Sequence, residues 1–233
     1  MQVIYPEAII DVTAPGNAAF PGANLLDNNF LKPWKATTTT ATISASLGGN
    51  SDLLALFGIV AASADVTISG PGGVVASESF VVTERRNRLW MAYPETVDAT
   101  VSIALSGSGP VQASILRAGI GAGFRHARGI KPVPKDFTRF EPMSGGGKYA
   151  IDGPLLRGYR FAFRADFADY ERFDSIYQLY GQQKGMAMLC VENTGTDAEW
   201  AIFGALSQYA PDIRSMRSGQ ISIEIVESVL WED

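Results

Sequence analysis

The sequence predicts a mostly β chain with an α+β part: an all-β sandwich or barrel first, then a mixed domain with one helix. Three observations predict it. Through the first half, short runs rich in Val, Ile and Thr are separated by Gly, Pro, Asn and Ser clusters at roughly 8–12 residue spacing. Near the middle, "GIGAGFRHARGIKPVPK" breaks that texture with glycines, prolines and basic residues. The last third holds one helical period among strands, in the order β-β-α-β-β-β.

In chain order, strands are expected at Thr40–Leu47, Leu53–Val60, Asp65–Ser69, Glu78–Val82, Arg88–Ala92, Ala99–Leu105 and Val111–Gly119. Val101, Ile103 and Leu105 alternate with small or polar residues, so one face is buried and the other is wet. Gly48-Gly49-Asn50, Gly70-Pro71-Gly72-Gly73 and Ser106-Gly107-Ser108-Gly109-Pro110 punctuate the runs as turns. Pro132 and Pro134 exclude a central strand there, so residues 119–136 read as an exposed linker arm. Tyr159, Phe161 and Phe163 then alternate with Arg160, Ala162 and Arg164 as a strand with an aromatic face. A helix is expected over about 166–181. Asp166 is its N-cap; Tyr170, Phe173, Ile176, Tyr177 and Tyr180 form its apolar stripe; Gly181 is its stop. Strands at Met186–Glu192, Trp200–Tyr209 and Ile221–Val229 close the chain.

Composition narrows the function. The chain has 233 residues, 46% hydrophobic and 18% charged, enough for a core and too little charge for disorder. Its net charge of -5 disfavours non-specific nucleic-acid binding. One cysteine, Cys190, precludes an internal disulfide and fits a reducing compartment; with one histidine, His126, it excludes a Cys/His zinc site. The first residues, MQVIYPEAIIDVTAPG, lack the build of a signal peptide. The longest apolar run, Leu53 to Ala64, falls short of the ~20 residues that span a bilayer and reads as a buried strand. A soluble protein made in the cytoplasm is expected.

Charge is unevenly spread. Residues 1–116 carry 5 Lys/Arg and 9 Asp/Glu, residues 117–164 carry 10 and 3, and residues 165–233 carry 4 and 12. A basic middle between acidic ends suggests faces that meet head to tail or across subunits. For Arg160 and Arg164 the alternative is the solvated face of a strand. Arg125, Arg128, Lys131, Lys135 and Lys148 are the candidate subunit contacts.

No GxSxG, HExxH, CxxC or P-loop is present. "SGGGKYA" at Ser144–Ala150 has neither the leading glycine nor the Ser/Thr of a phosphate loop and reads as a hairpin or contact loop. Asp166, Asp169 and Glu171 suit a helix N-terminus through its dipole better than a catalytic dyad. His126 lies in the basic arm with no partner in the local pattern. Cys190 reads as a small buried hydrophobe. Trp34, Trp90 and Tyr93 are candidate glycan contacts, since exposed aromatics make stacking platforms; core packing is the other reading. An enzyme acting on cell-wall sugar would need a carboxylate pair such as Asp27 with Asp52 or Asp65. No catalytic residue, metal site or cofactor is assigned.

The segment "ANLLDNNFLKPWKATTTTATISASLGGNSDLLALFGIV" resembles the opening of discoidin-like, galactose-binding-type jelly rolls: an Asn-Leu-Leu-Asp turn, a Trp, a strand, a Leu-Gly and an apolar strand. "TVSIALSGSGPVQASILRAGIGAGF" looks like the last strands of the same sandwich. "YRFAFRADFADYERFDSIYQLYGQQKGMAMLCVEN" with "EWAIFGALSQYAPDIRSMRSGQISIEIVE" resembles the tail-tube-like domain of distal-tail and baseplate proteins of long-tailed bacteriophages. The resemblance implies a jelly roll over 1–118, a basic arm over 119–136 and a tail-tube-like domain over 137–233. It implies a virion protein, assembled in the host cytoplasm into a trimeric or hexameric ring that continues the tail tube. Its partners would be other copies and neighbouring tail-tube, baseplate or fibre proteins. Sequence-specific nucleic-acid binding and membrane insertion are not expected. The alternative is a carbohydrate-binding module that recognises a host surface glycan.

Overall fold

The computed structural model describes residues 1–29, 31–83, 87–124, 130–136, 139–142, 148–151, 155–180, 185–190, 200–215 and 218–227. The strands between 135 and 155 are described by their backbone. The chain is mostly β, as expected.

The strands run β1 (Gln2–Glu7), β2 (Ile9–Thr13), β3 (Trp34–Lys35), β4 (Thr40–Leu47), β5 (Asn50–Phe57), β6 (Ser63–Gly70) and β7 (Gly73–Val81). Next come β8 (Arg88–Val97), β9 (Thr100–Ser106), β10 (Gln112–Ala113), β11 (Ile115–Gly123), β12 (Lys131–Pro132), β13 (Lys135–Asp136), β14 (Arg139–Pro142), β15 (Lys148–Ile151) and β16 (Leu155–Leu156). The helix-bearing part has β17 (Gly158–Ala165), α1 (Phe167–Tyr180), β18 (Met186–Leu189), β19 (Ala201–Ser215) and β20 (Ser218–Glu227).

A five-stranded sheet, β2-β4-β9-β6-β7, packs on the end of a nine-stranded sheet, β12-β17-β20-β19-β18-β1-β11-β5-β8. The first forms because β4, β6 and β9 alternate strictly. Ile43, Ala45, Leu47, Ala64, Val66, Ile68, Val101, Ile103 and Leu105 are buried, while their neighbours face water. Opposite them lie Leu54, Leu56, Leu89, Met91, Leu116 and Ala118 of β5, β8 and β11, and the two sets close an aliphatic sandwich core. Each Val, Leu, Ile or Met side chain fully buried there is worth about 1.5–3 kcal/mol.

The other end of the long sheet carries α1. Asp166 caps the helix as expected, its Oδ1 accepting the Asp169 amide at 2.9 Å. Phe173 and Ile176 are fully buried, and Tyr170, Tyr177 and Tyr180 are half-buried beside them. Phe173 meets Phe163 at 5.1 Å, Phe124 at 5.4 Å and Tyr209 at 5.7 Å between ring centroids. Gly181 lies outside the described residues.

Two expectations are corrected. The first 13 residues hold two strands that the sequence pattern did not indicate, and β1 is central, pairing with β11 on one side and β18 on the other. The exposed arm does not begin at residue 119: β11 runs on to Gly123, with Gly119 opposite Leu53 and Glu7, and Ala122 is fully buried. A Cβ at Gly119 would overlap the Pro6 carbonyl, so only glycine lets β1 and β11 approach there. The sheet therefore runs unbroken from the sandwich into the helix-bearing lobe.

Candidate functional site

The structure gathers its buried charges where the two lobes join. Arg117 sits on β11 between apolar neighbours and is 3% exposed. Its Nη1 donates to the carbonyl of Leu116 at 2.7 Å and of Leu25 at 3.4 Å. Its Nη2 donates to the carbonyls of Leu26 and Asp27, both at 3.4 Å, and to the Asn28 side-chain oxygen. Nε lies 3.1 Å from Glu7 Oε1, an ion-pair distance without the alignment of a hydrogen bond. The guanidinium stands 4.8 Å over the Phe203 ring. The Asn24–Asn28 turn is therefore a socket for an internal cation, clamped by one residue that also touches the other lobe. Burial raises the Glu7 pKa, and the charge of Arg117 offsets part of that rise. Burial likewise lowers the pKa of Arg117, which stays charged.

A second staple stands nearby. Arg88 on β8, 6% exposed, donates to the Ala201 carbonyl on β19, and its Nη2 lies 3.4 Å from Glu227 Oε1 on β20. Glu227 Oε2 in turn accepts the Arg157 amide at 3.1 Å. Beneath the staple, Trp90, Phe57 and Leu53 share a core with Leu189, Ala201 and Phe203. The sheet has curled until its β8 edge meets β19.

The three candidate aromatics serve this packing, which corrects the glycan-platform expectation for them. Trp34 is fully buried in the sandwich core, its Nε1 donating to the Pro15 carbonyl at 3.2 Å. Trp90 is 5% exposed and donates to Gln2 Oε1 at 3.3 Å. Tyr93 is 7% exposed in the sandwich core, where burial raises its hydroxyl pKa. No flat ring face is offered to solvent by any of them.

The candidate carboxylates are engaged separately. Asp27 pairs with Lys32 at 4.0 Å, Asp52 accepts the Gly121 amide at 2.6 Å, and Asp65 accepts the Ser79 hydroxyl at 2.6 Å. Among the described residues no group of three or more His, Cys, Asp or Glu could hold a metal ion. Cys190 is fully buried, and burial pushes its thiol pKa up. Of the candidate subunit contacts, Lys131 is exposed on β12. Lys135 and Lys148 lie in β13 and β15, described by backbone alone, while Arg125, Arg128 and His126 lie outside the described residues.

Sequence reading missed Arg117 and Arg88 as structural keystones. The signal for Arg117 was a lone charge inside the apolar run "SILRAGI", which demands buried partners.

No protein-family model matches the chain, and no curated protein matches it. Solved structures with similar arrangements include a chitosan-binding module derived from a chitosanase/glucanase of Paenibacillus sp. IK-5 (11% identity, TM-score 0.39, 46% of this chain and 92% of that one). CpGH89CBM32-5 of Clostridium perfringens, in complex with GalNAc-β-1,3-galactose, is another (13%, 0.38, 47% and 94%). A third is reduced XRCC1 bound to the DNA polymerase β catalytic domain (13%, 0.39, 51% and 98%).

Proposed function

We propose that the chain is a structural component of the tail tip or baseplate of a long-tailed bacteriophage or prophage-derived particle. The helix-bearing lobe joins a ring that continues the tail tube, and the sandwich stands outside it against neighbouring baseplate or fibre proteins. The observation that carries this reading is the continuous nine-stranded sheet. Flexibly linked domains move independently by default; here the shared sheet, the shared core and the Arg117 and Arg88 clamps make one rigid bracket. A bracket transmits position from a ring to an attached fibre, which is what a tail tip needs. Light scattering with negative-stain images of the purified chain tests the reading. Closed rings of three or six copies support it; a strict monomer that binds an immobilised glycan sinks it.

The second reading is a carbohydrate-binding module, the role that several of the structural neighbours are named for. The observation favouring it is the hydroxyl-covered outer sheet of the sandwich, since hydroxyls both donate to and accept from sugar hydroxyls. A glycan array with the intact chain separates the two.

A further inference from the structure

The sandwich's outer sheet has an unusual surface. Every outward position on β4, β6 and β9 is Ser, Thr, Ala or Asp. The register sets these in rows across the strands: Thr13, Ser44, Ser102, Thr67 and Ser77 lie side by side. The five strands contain no Lys or Arg, and Asp11 and Asp65 stand on the outward face. The face is thus short-chained and acidic across β4, β6 and β9, with exposed Val74 and Val81 on the β7 edge and Ile10 on the β2 edge.

The opposite character appears on β12 and β17. Lys131 pairs with Arg160 in register, so both point to one side, and Arg164 follows four residues on. Tyr159, Phe161 and Phe163 fill the other side of β17, so the three cations are exposed away from the core. Glu224 lies opposite Arg160 and is held by it, Arg160 Nε donating to Glu224 Oε2 at 2.8 Å. Asp212 of β19 lies in the row of Arg164 through Gln220, so Lys131, Arg160 and Arg164 against Glu224 and Asp212 leave the strip with one net positive charge.

We propose that these two faces are partners: the Asp11/Asp65 face of one copy docks on the Lys131/Arg160/Arg164 strip of the next. The occupant is a second copy of this chain, chosen by charge complementarity. Short Ser and Thr side chains lose little rotamer freedom on docking, and their hydroxyls accept from the long cationic heads. Because the faces differ, the contact is heterologous and runs head to tail, so it closes a ring or propagates a stack. The face spans four strand spacings and about seven residues, roughly 19 Å by 23 Å, on the order of 450 Å². That is below the roughly 800 Å² per partner of a standard stable interface. One contact alone is weak, and ring closure, which gives each copy two contacts, makes it persist. The inference rests on the assembly reading above and adds to it a contact from each copy's sandwich to the ring-forming lobe of the next.

Sedimentation velocity on the full chain tests it. The wild type is expected to self-associate with concentration at low salt and to dissociate near 1 M salt, where the screening length is about 3 Å. Asp65→Lys should weaken association at least about tenfold, as should Lys131→Glu/Arg164→Glu. An equimolar mixture of the two variants should recover association, since the intact faces meet intact partners and the two charge-reversed faces attract each other. Circular dichroism of each variant separates a lost contact from a lost fold. A monomeric wild type, association unchanged by Asp65→Lys, or a mixture that recovers no association overturns the proposal. Rings that persist in all variants would leave the tail role standing and remove this contact. Retention on chitin resin that Asp65→Lys abolishes, without any self-association, would give the face to a carbohydrate instead.

Discussion

The two lobes share a sheet but build their cores differently. The sandwich core is aliphatic, with Trp34 and Tyr93 as its large exceptions. The helix-bearing core is richer in rings: among its aliphatics it holds Phe124, Tyr159, Phe161, Phe163 and Phe173, with five further tyrosines and Trp200 against it. The difference follows from geometry. Two sheets about 10 Å apart are filled by branched aliphatics from both inner faces. A helix touching a sheet along one stripe leaves wider gaps, and rings fill them with favourable edge contacts. The lesson is that continuity of backbone does not require continuity of core chemistry; the buried arginines join the two.

The largest expected effects break each core. Phe173→Ala removes three ring contacts and should cost about 3–5 kcal/mol, and Trp34→Ala should cost a similar amount in the sandwich. Urea unfolding measures both. Arg117→Ala strikes the joint. Stripping a buried cation from its carbonyls and Glu7 should cost roughly 3–5 kcal/mol, and a loss under about 1 kcal/mol would show that the clamp is ornamental.

Gly119→Ala comes next. Its methyl meets the Pro6 carbonyl, so β1 must shift, at about 1–3 kcal/mol. Glu7 sharpens the joint through pH. Its folded pKa is raised above the ordinary carboxylate value, chiefly by burial. Its contribution is therefore fully present below the unfolded pKa, near 4.3, and is lost as pH rises through the folded value. Urea stability should fall across that window in the wild type and stay flatter in Glu7→Gln. A wild-type profile identical to that of Glu7→Gln would contradict it. The smallest effect belongs to the outer face: Thr42→Ala, exposed on β4, should change stability by under about 0.5 kcal/mol.

Period-2 alternation made the sandwich legible. Thr40–Leu47 matches β4 at both ends, because buried and wet positions alternate without exception toward its C-terminal end. α1 was legible through its stripe and its Asp166 cap. The N-terminal strands were not, because β1 is buried on one side by β11 and on the other by β18, partners more than 100 residues away. The sandwich's aromatics misled for a related reason. Exposure of Trp34 or Trp90 is a property of the assembled sheet, whereas the local string shows only a large ring beside polar turns. Arg117 escaped notice because four of its partners are backbone carbonyls, which leave no residue-type signature, and its side-chain partners Glu7, Asn28 and Phe203 lie far away in the chain.

The claim that the chain is one rigid bracket is tested most directly by following urea unfolding with two probes. Tryptophan fluorescence reports the sandwich and the joint through Trp34 and Trp90 and the helix-bearing lobe through Trp200; far-UV circular dichroism reports α1 together with the strands. The account predicts coincident transitions, with Trp34→Ala and Phe173→Ala each shifting both probes by the same amount. Two separated transitions, each moved by only one of the variants, would show independent lobes and contradict it.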